Sequence, residues 1–405
     1  MKRVYTGILL IKSIFLFSFC TPAKENEISY PPGGGEEQTD PALVAAVPNI
    51  DPLPRYGIAN LDFVMMCGGV ERTREGRLWA FWTAGGDSEK AYTVMMYSDN
   101  NGNNWSDVVM VLDAHTGSQQ RKIMGGCLWF DPQGHLWAFY GQSMTYFDGR
   151  SGTWYTRCDN PDADRPVWSK PVRIWHGSAT SHPILLGDDS WMLPVTLGDG
   201  GGRYPELDPY RGAGVLCSSD GGITWEYRGG VVFPQSDYNE HSIVELQDGR
   251  IWMTARTKDG IWQSFSADKG FTWSEPAKYH AHNRSRHYLR RLSSGNLILI
   301  KHGDPDVNIG SRSHLKAFIS KDEGRTWVGG LELDERKNVA YPYGCQAAPG
   351  SLYEGLIYIV YDRNREDQGE ILMARFTEED VLQGHLIGSR SKLKIRVAKA
   401  GYPQE

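Results

Sequence analysis

The chain is short of cysteine, of clustered basic charge and of helix signals. Six cysteines occur in 405 residues. Apart from Cys20, the remaining Cys67, Cys127, Cys158, Cys217 and Cys345 are odd in number with no close pair. That excludes a disulfide framework and a zinc pattern, and the five read as buried thiols. Lys and Arg total 43 against 49 Asp and Glu, a net charge of −6 with no long basic run. Nucleic acid is excluded as a partner, because phosphate neutralisation needs clustered cations. A few local arginines would still suffice for an anionic small molecule. No histidine–carboxylate spacing makes a metal site, so neither metal nor cofactor is expected. The single helix signal is a turn near Thr377–Leu382, where Thr377 would cap an acidic first turn.

What the chain does have is apolar and aromatic side chains, at 40% and 12%, enough for a core. Its 46 Gly, 14 Trp and 20 Tyr favour strands and tight turns. At the N-terminus, Lys2 and Arg3 precede an apolar stretch from Ile8 to Phe19, interrupted by Lys12. This is the charged and apolar pair of regions of an export signal, too short to span a membrane comfortably. Cys20 ends it, followed by a polar, Gly- and Pro-rich tether through about Pro41. The arrangement resembles a bacterial lipoprotein signal, which implies a lipid anchor at Cys20; an ordinary cleaved signal is the alternative. Either way the chain is expected to be exported, to the periplasm, to the outer membrane or cell surface as a lipoprotein, or as a secreted protein. The expected division is a signal over 1–20, a tether over 21–50, one folded domain over 51–395 and a tail over 396–405, with a monomer expected.

Two internal repeats define that domain. Ser218-Ser-Asp-Gly-Gly-Ile-Thr-Trp225 recurs as Ser266-Ala-Asp-Lys-Gly-Phe-Thr-Trp273 and Ser320-Lys-Asp-Glu-Gly-Arg-Thr-Trp327, with a weaker copy at Ser98–Trp105 in which Asn100 replaces the aspartate. The pattern describes a β-hairpin turn: Asp accepts backbone N–H groups, Gly takes a positive φ, and Trp plugs the next layer. A degenerate fifth copy ends at Trp168, and the five tryptophans are 63, 57, 48 and 54 residues apart. Independently, a turn followed by an apolar strand begins at Gly76, Gly134, Gly187, Gly249, Gly295 and Gly355, at spacings of 58, 53, 62, 46 and 60. Further strand-like runs, such as Tyr92–Tyr97, Gly214–Cys217 and Leu315–Ile319, lie between the markers. Each unit is long enough for one four-stranded antiparallel sheet. The count predicts an all-β, six-bladed β-propeller; a seventh blade would need to lack both markers.

The hairpin boxes resemble the Asp boxes of the sialidase superfamily, over nearly all of the chain after the tether. The resemblance implies boxes on the outer rim of the blades and an exo-acting glycosidase that removes a terminal acidic sugar from a glycan. Asn239-Glu240-His-Ser-Ile-Val-Glu-Leu-Gln-Asp-Gly249, leading into Ile251-Trp-Met-Thr-Ala-Arg256, is similar to a family segment. It implies Glu240 as the carboxylate that activates the nucleophile and Arg256 as one arginine of a carboxylate-binding triad. Arg312, before the last box, fits a second arginine. Tyr343 in Tyr341-Pro-Tyr-Gly-Cys-Gln346 resembles the nucleophile, with Tyr341 as its alternative. Asp87, in the loop after the first-blade strand, is the acid/base candidate by place. The family's remaining arginine is missing: the corresponding position is Met66, and no Arg-Ile-Pro segment exists.

A tyrosine–glutamate pair suits an anomeric carbon bearing a carboxylate, since a neutral phenol approaches it without charge repulsion. Arginines grip such a carboxylate bidentately. Arg211, Arg286, His182 and His241 are further candidates for substrate binding. Histidine with arginine and tyrosine would also serve a polysaccharide lyase acting on uronates, where His or Tyr removes the C5 proton. A third reading is a glycan-binding propeller without catalysis. With the first triad arginine absent, a substitute from another blade is expected to shift preference from simple sialosides to another acidic sugar.

Overall fold

The computed structural model describes residues 40–61, 64–115, 121–144, 149–198, 204–236, 238–365, 367 and 369–401, with the side chains of Pro41 and of 64–67 left out. The export signal, Cys20, the tether to residue 39 and the side chains of Met66 and Cys67 lie outside the described residues.

Six antiparallel sheets follow one another along the chain. Blade 1 comprises strands Val64–Arg72, Leu78–Ala84, Tyr92–Ser98 and Met110–Leu112. Blade 2 comprises Lys122–Phe130, Leu136–Ser143, Gly152–Cys158 and Val172–Trp175. In blade 3 the first strand is broken into Ser178–Ala179 and Ile184–Leu185, both paired with Trp191–Leu197, followed by Gly212–Ser218 and Glu226–Val231. Blade 4 has Ser242–Glu245, Ile251–Thr257, Gly260–Ser266 and Ala277–His280. Blade 5 has Tyr288–Arg291, Leu297–His302, Leu315–Ser320 and Val328–Asp334. Blade 6 has Val339–Gln346, Leu356–Arg363, Glu370–Thr377 and Lys392–Lys399. First strands of successive blades pack on one another, which places them innermost. This is the six-bladed propeller that the repeat count predicts.

The two repeats mark turns on one face. The glycine turns join first to second strands, and the Asp boxes join third to fourth. In a four-stranded meander both connections fall at the same end of the sheet, so second-to-third turns and blade-to-blade links crowd the opposite face. Box geometry is uniform. Asp220, Asp268 and Asp322 Oδ1 accept the backbone N–H of Thr224, Thr272 and Thr326 at 2.9, 2.8 and 2.8 Å, while the threonine hydroxyls donate to Oδ2. Gly324 has φ +80°, and a Cβ there would come within 2.4 Å of the buried Trp252 ring. Blade 6 has no box: helix Glu378–Gln383 stands between its last two strands, capped by a reciprocal Thr377–Asp380 capping box.

Two boundaries differ from expectation. Residues 40–50, assigned to the tether, pack onto blades 1 and 2: Tyr140 Oη donates to the Ala46 carbonyl at 3.0 Å, and Asn49 bridges Val111. At the other end the outermost strand continues to Lys399, past 395, because it pairs with Glu370–Thr377.

Candidate active site

Glu240 and Tyr341 meet on the face opposite the Asp boxes. Glu240 precedes the first strand of blade 4 at φ 39°, and Tyr341 lies in the first strand of blade 6 at φ 57°. Positive φ is costly for such residues and persists where the surroundings over-determine it, which is common at functional sites. Tyr341 donates its hydroxyl proton to Glu240 Oε1 at 2.5 Å, and Arg256 Nη1 donates to Glu240 Oε2 at 2.5 Å and to Tyr341 Oη at 3.3 Å. Arg256, at the end of the second strand of blade 4, is locked by its own N–H on the Asn239 carbonyl at 2.8 Å. Burial pushes the Glu240 carboxyl up, but the nearby Arg256 and Arg286 charges hold it below its ordinary range. Burial and the Glu240 charge raise the Tyr341 phenol. The pair is therefore an ionised carboxylate beside a protonated phenol, as a base beside a nucleophile requires.

Four guanidiniums surround the Tyr341 ring. Arg365 lies 4.2 Å from its centroid, Arg312 5.9 Å and Arg286 6.0 Å, with Arg256 on the hydroxyl. Arg286 also sits 4.9 Å from the Tyr343 ring and is pinned by the Thr180 carbonyl, which the break in the first strand of blade 3 exposes. The facing carboxylates among the described residues are Glu240 and Asp362, the latter paired with Arg365. Four positive groups against two negative ones favour an anion.

The other sequence candidates divide. Tyr343 is not the partner of Glu240. It is fully buried, its hydroxyl shares a 2.6 Å hydrogen bond with His182 Nδ1, and Gly69 lies so close that a Cβ there would be 2.6 Å from its ring. Its own alternative, Tyr341, holds the expected place. His182 is buried beneath the site, and burial keeps it neutral, reinforced by Arg290 and Arg286. His241 is buried too, with Nε2 on the Gly214 carbonyl at 2.9 Å, and burial lowers it to about 4. Neither histidine bonds to Glu240 or Tyr341 among the described residues. Arg211 is spent on its own loop, with Nε on Asp208 at 2.6 Å and further bonds to the Gly198 and Tyr204 carbonyls. Asp87 stands exposed on a second-to-third loop of blade 1, on the same face as Glu240, with no hydrogen bond to its side chain among the described residues. Arg365 and Asp362 were missed: nothing in Tyr361-Asp-Arg-Asn-Arg365 distinguishes them from an ordinary turn. No group of three or more His, Cys, Asp or Glu among the described residues is placed to hold a metal ion.

Among solved structures, the chain is similar to a Dyadobacter fermentans protein of unknown function, at 14% identity and TM-score 0.56 over 82% of this chain and 98% of that one. It is also similar to the Ruminococcus gnavus intramolecular trans-sialidase in complex with oseltamivir carboxylate, at 12% identity and TM-score 0.59 over 82% and 98%. A third is the Trypanosoma rangeli sialidase in complex with the inhibitor DANA, at 14% identity and TM-score 0.59, where 80% of this chain spans 56% of the enzyme. At these identities the likeness is one of fold. No curated protein matches in sequence. The family model of the BNR repeat-like domain matches residues 76–354. With that match running through the boxes of four blades, the chain belongs to the BNR repeat-like family of sialidase-like propellers.

Proposed function

We propose that this protein is an exo-acting glycoside hydrolase of the sialidase type that removes a terminal acidic sugar from glycans outside the cytoplasm. The 2.5 Å contact between Tyr341 and Glu240, inside a ring of arginines, carries the reading. In the first step Tyr341 Oη attacks the anomeric carbon and passes its proton to Glu240, while the bond to the glycosidic oxygen breaks. Asp87, by its place on the same face, protonates the leaving oxygen. In the second step water adds to the anomeric carbon and gives a proton to the Asp87 carboxylate, while the bond from that carbon to Tyr341 Oη breaks and Glu240 returns its proton to Tyr341, releasing the sugar. Arg286 and Arg312 supply donors for the substrate carboxylate.

The test is incubation with a panel of acidic glycans, reading released sugar by mass. A product one water heavier than the glycosyl residue is expected, and it should vanish in Glu240→Gln and Tyr341→Phe. A product lacking that water, with ultraviolet absorbance, would instead identify a lyase. Tight retention of glycan with no product would identify a binding protein.

A further inference from the structure

One guanidinium facing the Tyr341 ring comes from the last blade, outside the segments that carry the resemblance. Arg365 follows the second strand of blade 6 in a turn where Asn364 takes φ 55° and its N–H bonds the Asn338 carbonyl at 3.0 Å. Asp362 is fully buried and pairs across the sheet with Ala340, the residue before Tyr341. Arg365 reaches Asp362 Oδ1 through Nε at 3.2 Å and Oδ2 through Nη2. This fork fixes the guanidinium plane and leaves Nη1 uncommitted to that carboxylate. The Arg365 side chain keeps 10% of its surface exposed, against none for Asp362.

We infer that Arg365 is a substrate-binding, specificity-determining residue that donates to the carboxylate of the acidic sugar, with Asp362 as its positioning residue. The inference rests on the acidic-sugar reading above. Because this guanidinium lies over the face of the Tyr341 ring, 4.2 Å from its centroid, it holds the carboxylate and orients the nucleophile from one place. A carboxylate gripped from blade 6 approaches Tyr341 from the nucleophile's own sheet. The same contact sets Arg365 beside Arg286 and Arg312 among the groups that separate acidic sugars from their neutral counterparts.

The experiment measures binding by calorimetry to the methyl glycosides of N-acetylneuraminic acid, 3-deoxy-D-manno-octulosonic acid and D-glucuronic acid, each beside its carboxylate methyl ester. The wild type should prefer at least one acid over its ester. Arg365→Gln should weaken that acid about ten- to a hundredfold, the loss of a charged hydrogen-bond partner, and change the ester less than about threefold. Arg365→Lys keeps the charge without the fork and should fall between. Because Arg365→Gln removes the fork on the buried Asp362, the double variant Asp362→Asn/Arg365→Gln is measured alongside, with the same loss of acid preference expected. Equal losses for acid and ester, or an unchanged preference in all three variants, would overturn the assignment. A wild type that binds an acid but releases no sugar from any glycoside would sink the hydrolase reading and leave Arg365 assigned. Failure of every acid to bind better than its ester would overturn both.

Discussion

The Tyr341 hydroxyl donates to Glu240 Oε1 across 2.5 Å although the two residues are 101 positions apart and belong to different blades. Each adopts a positive φ, and a register shift between Ala340 and Tyr343 accompanies the turn at Tyr341. In a regular strand Tyr341 and Tyr343 would point to the same face. The irregularity re-aims one of them, as bulges beside active sites do.

The two tyrosines therefore separate by mutation. Tyr341→Phe should abolish product release and, by removing a buried bond to the Glu240 carboxylate, also cost about 1.5–3 kcal/mol of stability. Tyr343→Phe removes a buried hydrogen bond to His182 and should cost about 0.5–1.5 kcal/mol of stability while retaining hydrolysis. Rates and denaturation curves on both variants check this; full activity in Tyr341→Phe would end the assignment.

The pH profile of hydrolysis follows from Glu240. Burial raises its carboxyl, but Arg256 and Arg286 more than offset this, so it ionises below the ordinary 4.5. Activity needs the ionised form, so the acid limb of the profile should lie at that lowered value. A kcat/KM profile whose acid limb lies above pH 5 would contradict the arrangement.

Glu71 predicts the opposite slope for stability. It lies on the first strand of blade 1, its Oε1 is 3.7 Å from Arg290 Nη1, and burial pushes it up to about 7 despite the arginine. Between about 4.5 and 7 the native state holds a proton that the unfolded chain releases. Stability is therefore full at low pH and falls as pH rises through 7, by up to roughly 3 kcal/mol. Glu71→Gln should match the wild type near pH 4.5 and exceed it at pH 8 in urea titrations. A gap that does not widen with pH would count against it.

Gly324→Ala tests the box on the opposite face. The positive φ and the 2.4 Å approach to Trp252 should cost about 1–3 kcal/mol. Hydrolysis per folded molecule should not change, because the turn lies at the far end of the sheet from Glu240. Loss of turnover without loss of stability would place the boxes in the chemistry.

The architecture was legible from local segments. The Asp boxes and glycine turns are local, each closing a hairpin with its own Ser, Asp, Gly and Trp, so their count survives translation into blades. Glu240, Arg256 and Arg312 were legible because they stand in contiguous segments with fixed neighbours. Packing between blades settles which tyrosine faces Glu240 and which arginines stand beside it. A single register shift inverts the alternation that a strand pattern assumes, and it leaves no mark in Tyr341-Pro-Tyr-Gly. Arg365 and its partner Asp362 stand beside Tyr341, while Arg211 and His241 bond elsewhere, because side-chain convergence at the mouth of a propeller depends on loop paths from several blades. Those paths are fixed by packing between sheets, and no single stretch of sequence encodes them.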